Sequence, residues 1–190
     1  MENPDYKKGS MLNSLLIAKE KMVNGFIMLY SDILMEDHIL SKLMECKEDI
    51  ILVADNSTQY HLPEEGNFLD YIISKSQHKP ERREIRFISE NIVANIGNKI
   101  NPETATHEFI GLARFSKTGA EQFLETYNDV ISNFAGPFQE SKDISRLTFT
   151  DLVQEMIDRG FAIHFMEIHK GWLEIHNTDH IALAQKSFSA

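Results

Sequence analysis

An α/β fold built on a mixed sheet is what this sequence predicts, on three observations. Two continuous apolar runs, FIMLY at 26–30 and IILVA at 50–54, flank one helical pattern. Two segments with alternating apolar residues follow near 84–89 and 91–96. Amphipathic helical patterns then alternate with further strands to residue 186. Apolar residues make up 42% and charged residues 25% of the 190, which suits one domain with a packed core rather than a disordered chain.

The elements follow in order. Residues 10–24 read as a helix: Ser10 is a suitable N-cap, Leu12, Leu15, Leu16, Met22 and Val23 share a face, and Gly25 ends it. The run 26–30 has the character of a strand covered on both faces, closed by Ser31-Asp32. A helix over 35–46 turns Ile39, Leu40, Leu43 and Met44 inward, and a second buried strand at 50–54 ends on Asp55. Strand, helix and strand at this spacing form a βαβ unit, with the right-handed crossover that such units adopt. Residues 56–83 are polar and read as a surface excursion, with a short helix over 68–74. The alternating segments 84–89 and 91–96 form a hairpin around Ser89-Glu90-Asn91. A strand spans 109–115. The helix 118–133 carries Phe123, Leu124, Tyr127 and Ile131 inward and is broken by Gly136-Pro137. Thr150 caps a helix to Arg159, with Leu152, Val153, Met156 and Ile157 on its face and Gly160 as its stop. A strand at 161–168, an extended piece at 171–175 and a helix at 179–186 complete the pattern.

Charge and cysteine content restrict the functional classes. The net charge is −10, from 19 basic and 29 acidic residues, which disfavours non-specific binding to nucleic acid or to anionic membranes. Cys46 is the single cysteine, so neither an internal disulfide nor a cysteine zinc site is available. The first residues, MENPDYKKGS, lack the apolar core of a signal peptide, and no run approaches the ~20 apolar residues of a membrane span. The expectation is a cytoplasmic protein.

Asp32 leads the candidate residues. Ligands of open α/β sheets gather beyond the carboxyl ends of strands. A carboxylate there is placed to hold Mg²⁺, which takes oxygen ligands from one or two carboxylates and from substrate phosphates. The competing reading is that Asp32 caps the following helix. Asp55 repeats the geometry, with turn formation as its alternative. His164 and His169 are five residues apart along a strand, on opposite faces, and suggest no zinc site.

Several motifs in order extend this reading. Asn3-Pro4-x-Tyr6, Ser14-Leu15, LYSDIL at 29–34, NIGNKI around Lys99, HEFIGLARFSKTGA at 107–120, LTFTDLVQEMIDRG at 147–160 and GWLEIHNTDHIALA at 171–184 together resemble the nucleotidyltransferases that activate sugar phosphates, phosphocholine and aminoethylphosphonate. The likeness covers nearly the whole chain and extends to cytidylyltransferase-like domains of phosphonate metabolism, some fused behind a phosphoenolpyruvate mutase domain. It implies a mixed, mostly parallel, Rossmann-like sheet with helices on both faces, and it makes residues 1–190 the C-terminal two-thirds of such a domain. The implied reaction is attack by an acceptor phosphate or phosphonate on the α-phosphorus of a nucleoside triphosphate, CTP above all, releasing pyrophosphate. Positioning and charge neutralisation carry such chemistry. The resemblance makes Asp32 a Mg²⁺ ligand and places Ser31, Lys99, Glu108 and Trp172 at the substrates.

The sequence departs from that pattern twice. The W-x-E-I-D signature of the second metal aspartate reads Trp172-Leu173-Glu174-Ile175-His176, so His176 stands where a carboxylate belongs, with Glu174 or Asp179 as the carboxylates that could substitute. Imidazole is a poorer partner for Mg²⁺ than carboxylate. The G-x-G-x-R loop that wraps the triphosphate with backbone N–H groups has no counterpart: even the two nearest glycines, Gly111 and Gly119, are eight residues apart. Two readings follow: a nucleotidyltransferase part that works when the loop is supplied, or a non-catalytic remnant serving binding or assembly. The sheet surface left without its usual neighbours predicts a homodimer.

Overall fold

The computed structural model describes residues 2–3, 10–57, 69–76 and 90–188. The expected strand at 84–89, most of the 56–83 excursion and most of its hairpin turn lie outside the described residues. The architecture starts from β3 (Ile50–Asp55), every residue of which is buried. Its side chains alternate between two cores, as the period of a strand requires. Ile50, Leu52 and Ala54 join one cluster with Phe115, Phe123, Phe149 and Phe165. Ile51 and Val53 join the other with Ile110, Leu112 and Met166.

The strand β6 (His107–Phe115) is the central plank. Along one edge it pairs antiparallel with β3; along the other it pairs with β4 (Tyr71–Ser74) near its start and with β1 (Phe26–Leu29) near its end. β5 (Val93–Gly97) extends the sheet beyond β4, and β7 (His164–Ile168) flanks β3, giving the order β5-β4-β6-β3-β7. The sheet is mixed, as expected. It is not mostly parallel among the described strands: β3–β7 is the parallel pair, and the other four pairings are antiparallel. The cause is β6, which lies between β1 and β3, so the two strands of the expected βαβ unit run in the same direction without touching.

Helices cover both faces. On one, α3 (Lys117–Asn133) and α4 (Phe149–Asp158) press Phe123, Val130, Leu152, Val153 and Met156 onto the sheet. On the other, α2 (Asp37–Glu45) contributes Ile39 and Leu43. Three other elements differ from expectation. The predicted helix at 10–24 is capped by Ser10 but is helical only over α1 (Met11–Leu16), with a tighter turn at Lys19–Lys21. The predicted helix over 68–74 is instead β4, in which Ile72 and Ile73 suit a strand paired on both sides. The cap of α4 is Thr148 rather than Thr150: its side chain accepts from the Asp151 N–H, and the Asp151 carboxylate accepts from the Thr148 N–H.

Some predicted inward residues face out. Leu40, Met44 and Ile131 are exposed because each helical face is narrower than its run of apolar residues, and Val23 is exposed because it lies in a turn beyond the shortened helix. β1 is covered on one face only: Met28 is buried, while Ile27 and Leu29 are exposed by 40% and 48%. Among the described residues, no helix is long and apolar enough to cross a membrane.

Candidate functional site

After Asp32 the chain enters a strand, not a helix. β2 (Ile33–Met35) pairs antiparallel with β8 (Trp172–Glu174), in the register Ile33↔Glu174 and Met35↔Trp172. The Ile175 N–H donates to the Asp32 carbonyl at 2.7 Å and continues the ladder. Asp32 therefore caps nothing; α2 begins further on, at Asp37, and its N-cap Glu36 makes no side-chain capping bond. This two-stranded sheet stitches LYSDIL to GWLEIH and sets the Asp32, Glu174 and His176 side chains on one spot.

Their ligand atoms all lie within 4.8 Å of one another. His176 Nε2 is 3.1 Å from a Glu174 carboxylate oxygen. Burial raises the Glu174 carboxyl above its usual range and Asp32 adds to that, while His176 and His180 pull it back. The start of α5 (Thr178–Phe188) supplies His180, whose Nδ1 lies 3.0 Å from the Glu174 carbonyl. Its ring sits 5.7 Å from that of His176. Two carboxylates and an imidazole at this separation form a donor set suited to a divalent cation. Ser31 and Asp32 also line an open cavity of about 670 Å³, together with Ile181, Ala184 and Phe188 of α5.

Asp55, at the end of β3, is built quite differently. Its carboxylate is fully buried and accepts from Trp172 Nε1 at 2.7 Å, the Ser57 N–H and hydroxyl at 2.8 Å each, and the Lys170 N–H at 3.2 Å. Burial alone would raise the pKa of this carboxyl, but those donors outweigh burial and hold it below the usual carboxylate range. Trp172 therefore spends its indole N–H on this latch.

Glu108 stands opposite Asp55 in the β3–β6 ladder. Burial, and then the negative charges of Asp55, Glu174 and Asp70, push its carboxyl up to about 8. It is a neutral acid at pH 7, able to donate a hydrogen bond. Asp70 is pushed up to about 6 by burial and accepts from the Tyr30 hydroxyl at 3.3 Å. Tyr30 itself packs against Gly111. That glycine has φ +76°, and a Cβ on it would meet the Tyr30 ring at 2.3 Å, so the close crossing of LYSDIL over HEFIGLARF requires it.

The remaining sequence candidates sort clearly. The described end of the Asn3 motif reaches the helix motif: Asn3 Nδ2 donates to Ser14 Oγ at 2.8 Å. Lys99 turns away from the carboxylate–histidine cluster. Its backbone N–H donates to the Glu140 carboxylate at 3.1 Å and its ammonium to the Glu140 carbonyl, beside a second cavity of about 390 Å³. Asp70 had no signal in the sequence, and His107 had only its place at the head of the 107–120 motif. Asp70 lies at the edge of a polar stretch without a motif. His107, buried on β6, bonds Glu167 at 2.7 Å, a pairing 60 residues apart in the chain. His180 had a signal, since it closes the HNTDH segment that His176 opens.

No family model matches the chain. It is 23% identical over 181 residues to a Campylobacter jejuni protein described as CTP:phosphoglutamine cytidylyltransferase, covering 91% of this chain and 66% of that one. Among solved structures, the inositol-1-phosphate CTP transferase from T. maritima superposes with a TM-score of 0.63 at 17% identity, over 98% of this chain and 65% of that one. A CTP:phosphocholine cytidylyltransferase from Streptococcus pneumoniae superposes with a TM-score of 0.60 at 10% identity, over 97% of this chain and 66% of that one. The chain therefore spans about two thirds of the length of these relatives. The two superpositions show a shared fold. With the sequence likeness, they bear out the resemblance to the cytidylyltransferase-like nucleotidyltransferase superfamily.

Proposed function

From that shared fold, we propose that these residues are the metal-binding and acceptor-binding part of a nucleotidyltransferase that moves a nucleotidyl group, CMP from CTP, onto a phosphate or phosphonate. One observation carries this reading: Asp32, Glu174 and His176 converge beyond the end of β1 from opposite ends of the sequence. The Asp32 site would hold a divalent cation, Mg²⁺ in the resemblance. A bound cation neutralises phosphate charge and orients the triphosphate. In the transfer, an acceptor oxygen bonds to the α-phosphorus, the bond to the bridging oxygen breaks, and pyrophosphate leaves. Glu108, as a neutral acid, would donate to an acceptor oxygen, and Ser31 would line the mouth of the site. These 190 residues carry no G-x-G-x-R loop, so on this reading another segment or chain would have to supply the groups that cradle the triphosphate.

That missing loop favours a second reading, a non-catalytic binding or assembly module. Calorimetry separates the two. The chain is titrated with CTP and with phosphocholine, aminoethylphosphonate and a phosphoglutamine in the presence of a divalent cation. The proposal expects cation-dependent binding of at least one acceptor, weakened about tenfold or more by Asp32→Ala, together with no pyrophosphate release above background from this chain alone. Absence of binding to every compound would favour the assembly module. A homodimer belongs to the same proposal, with Ile27 and Leu29 as apolar surface to cover. Sedimentation velocity tests it, and a monomer contradicts it.

A further inference from the structure

The geometry points to a first-row transition-metal ion, rather than Mg²⁺, as the preferred cation of the Asp32–Glu174–His176 cluster. This rests on the reading of that cluster as a cation site, but it concerns which ion is selected. Two distances and the donor chemistry support it. His176 Nε2 and a Glu174 oxygen are 3.1 Å apart. Bond lengths of about 2.0–2.2 Å place neighbouring ligand atoms of one ion roughly 3.0–3.5 Å apart. The pair, in direct contact with each other, sits at a separation that two ligands of one small cation also adopt, with Asp32 within 4.8 Å as the third.

The donor chemistry decides between ions. Mg²⁺ requires oxygen ligands and retains its waters, so an imidazole in place of a carboxylate removes attraction without adding a ligand it favours. Mn²⁺, Co²⁺ and Zn²⁺ bind imidazole readily, with affinity rising along that series. Two carboxylates and a neutral imidazole also balance a divalent charge in full. The surroundings suit an imidazole ligand too. His180 is anchored on the Glu174 carbonyl and its ring lies against that of His176, so the β8–α5 turn carrying His176 is tied to the same strand as Glu174. Such supporting contacts orient a metal-binding histidine.

The test compares ions rather than turnover. Co²⁺ is titrated into the purified chain and its visible d–d bands are followed; Mg²⁺ and Zn²⁺ then compete. The same titrations are run on His176→Asp and Asp32→Ala, with thermal melts to confirm that each variant folds. The expected result is Co²⁺ absorption typical of nitrogen and oxygen ligation, displaced by Zn²⁺ and resistant to excess Mg²⁺. His176→Asp should weaken Co²⁺ about tenfold or more and strengthen Mg²⁺ by a similar factor, while Asp32→Ala abolishes both. A Co²⁺ to Mg²⁺ preference unchanged in His176→Asp overturns the inference and leaves the cation site standing. Absence of binding by Co²⁺, Zn²⁺ and Mg²⁺ alike overturns both the inference and the site.

Discussion

Two aspartates follow two apolar strands that flank β6 on its two edges, and the protein uses them in opposite ways. Asp55 is buried and accepts four hydrogen bonds, from Trp172, Lys170 and Ser57, so its charge is consumed by the fold. Asp32 is exposed, and its nearest potential metal ligands are Glu174 and His176. The sequence pattern is the same, an apolar run closed by aspartate. What separates them is the supply of donors: protein N–H groups surround Asp55, whereas another acidic group and an imidazole flank Asp32. A carboxylate whose donors are built in is a latch; one flanked by further potential metal ligands is the candidate for an external cation.

The contrast can be tested by removing each part in turn. The largest effect on stability is expected from Asp55→Ala, which strands the Trp172 indole N–H and the Ser57 and Lys170 amides. A loss of about 2–4 kcal/mol in denaturant unfolding is expected, since hydrogen bonds to a buried charge contribute roughly 1.5–3 kcal/mol each and do not add fully. Trp172→Phe, which keeps most of the ring but removes the indole donor, should cost about 1–2 kcal/mol by the same measurement.

Glu108→Gln should change the pH dependence more than the stability itself. The folded state holds the Glu108 proton up to about 8, whereas the unfolded chain releases it near 4.5. The folded state therefore binds more protons across that window. Its contribution to stability is complete below about 4.5 and is lost as pH rises to about 8. Asp70 adds a loss of the same sign that ends near 6. Between pH 6 and 8 the wild-type stability should thus fall with pH, and the Gln variant should fall less. An identical slope in that interval would refute the assignment. Asp32→Ala should have the smallest effect on stability, within about 0.5 kcal/mol, as for other exposed positions.

The legibility of the fold followed the range of its interactions. The buried run of β3 and the amphipathic faces of α3 and α4 were readable because periodicity is local and strong in each. The strand direction was not. Nothing within Phe109–Phe115 says that β6 lies between β1 and β3, because that choice depends on contacts with segments more than 50 residues away. The site was half legible. Asp32 and His176 could be aligned by motif, but the three-residue strands β2 and β8 that bring them together are too short to carry a pattern. Asp32 as a helix cap was a fair competing reading, and only the strand that follows it removes it. Asp55 shows the opposite limit: its sequence neighbours give no hint that a tryptophan 117 residues away will claim its charge.

The central claim is that Asp32, and not Asp55, anchors a cation. Titration with Mn²⁺, monitored by electron paramagnetic resonance of the free ion, tests this on the wild type, Asp32→Asn and Asp55→Asn, each at a temperature where melting shows it folded. The account predicts one tight site in the wild type, its loss in Asp32→Asn at an unchanged melting temperature, and its survival in Asp55→Asn despite a lowered one. A site that persists in Asp32→Asn, or that vanishes with Asp55→Asn while the chain remains folded, would contradict it.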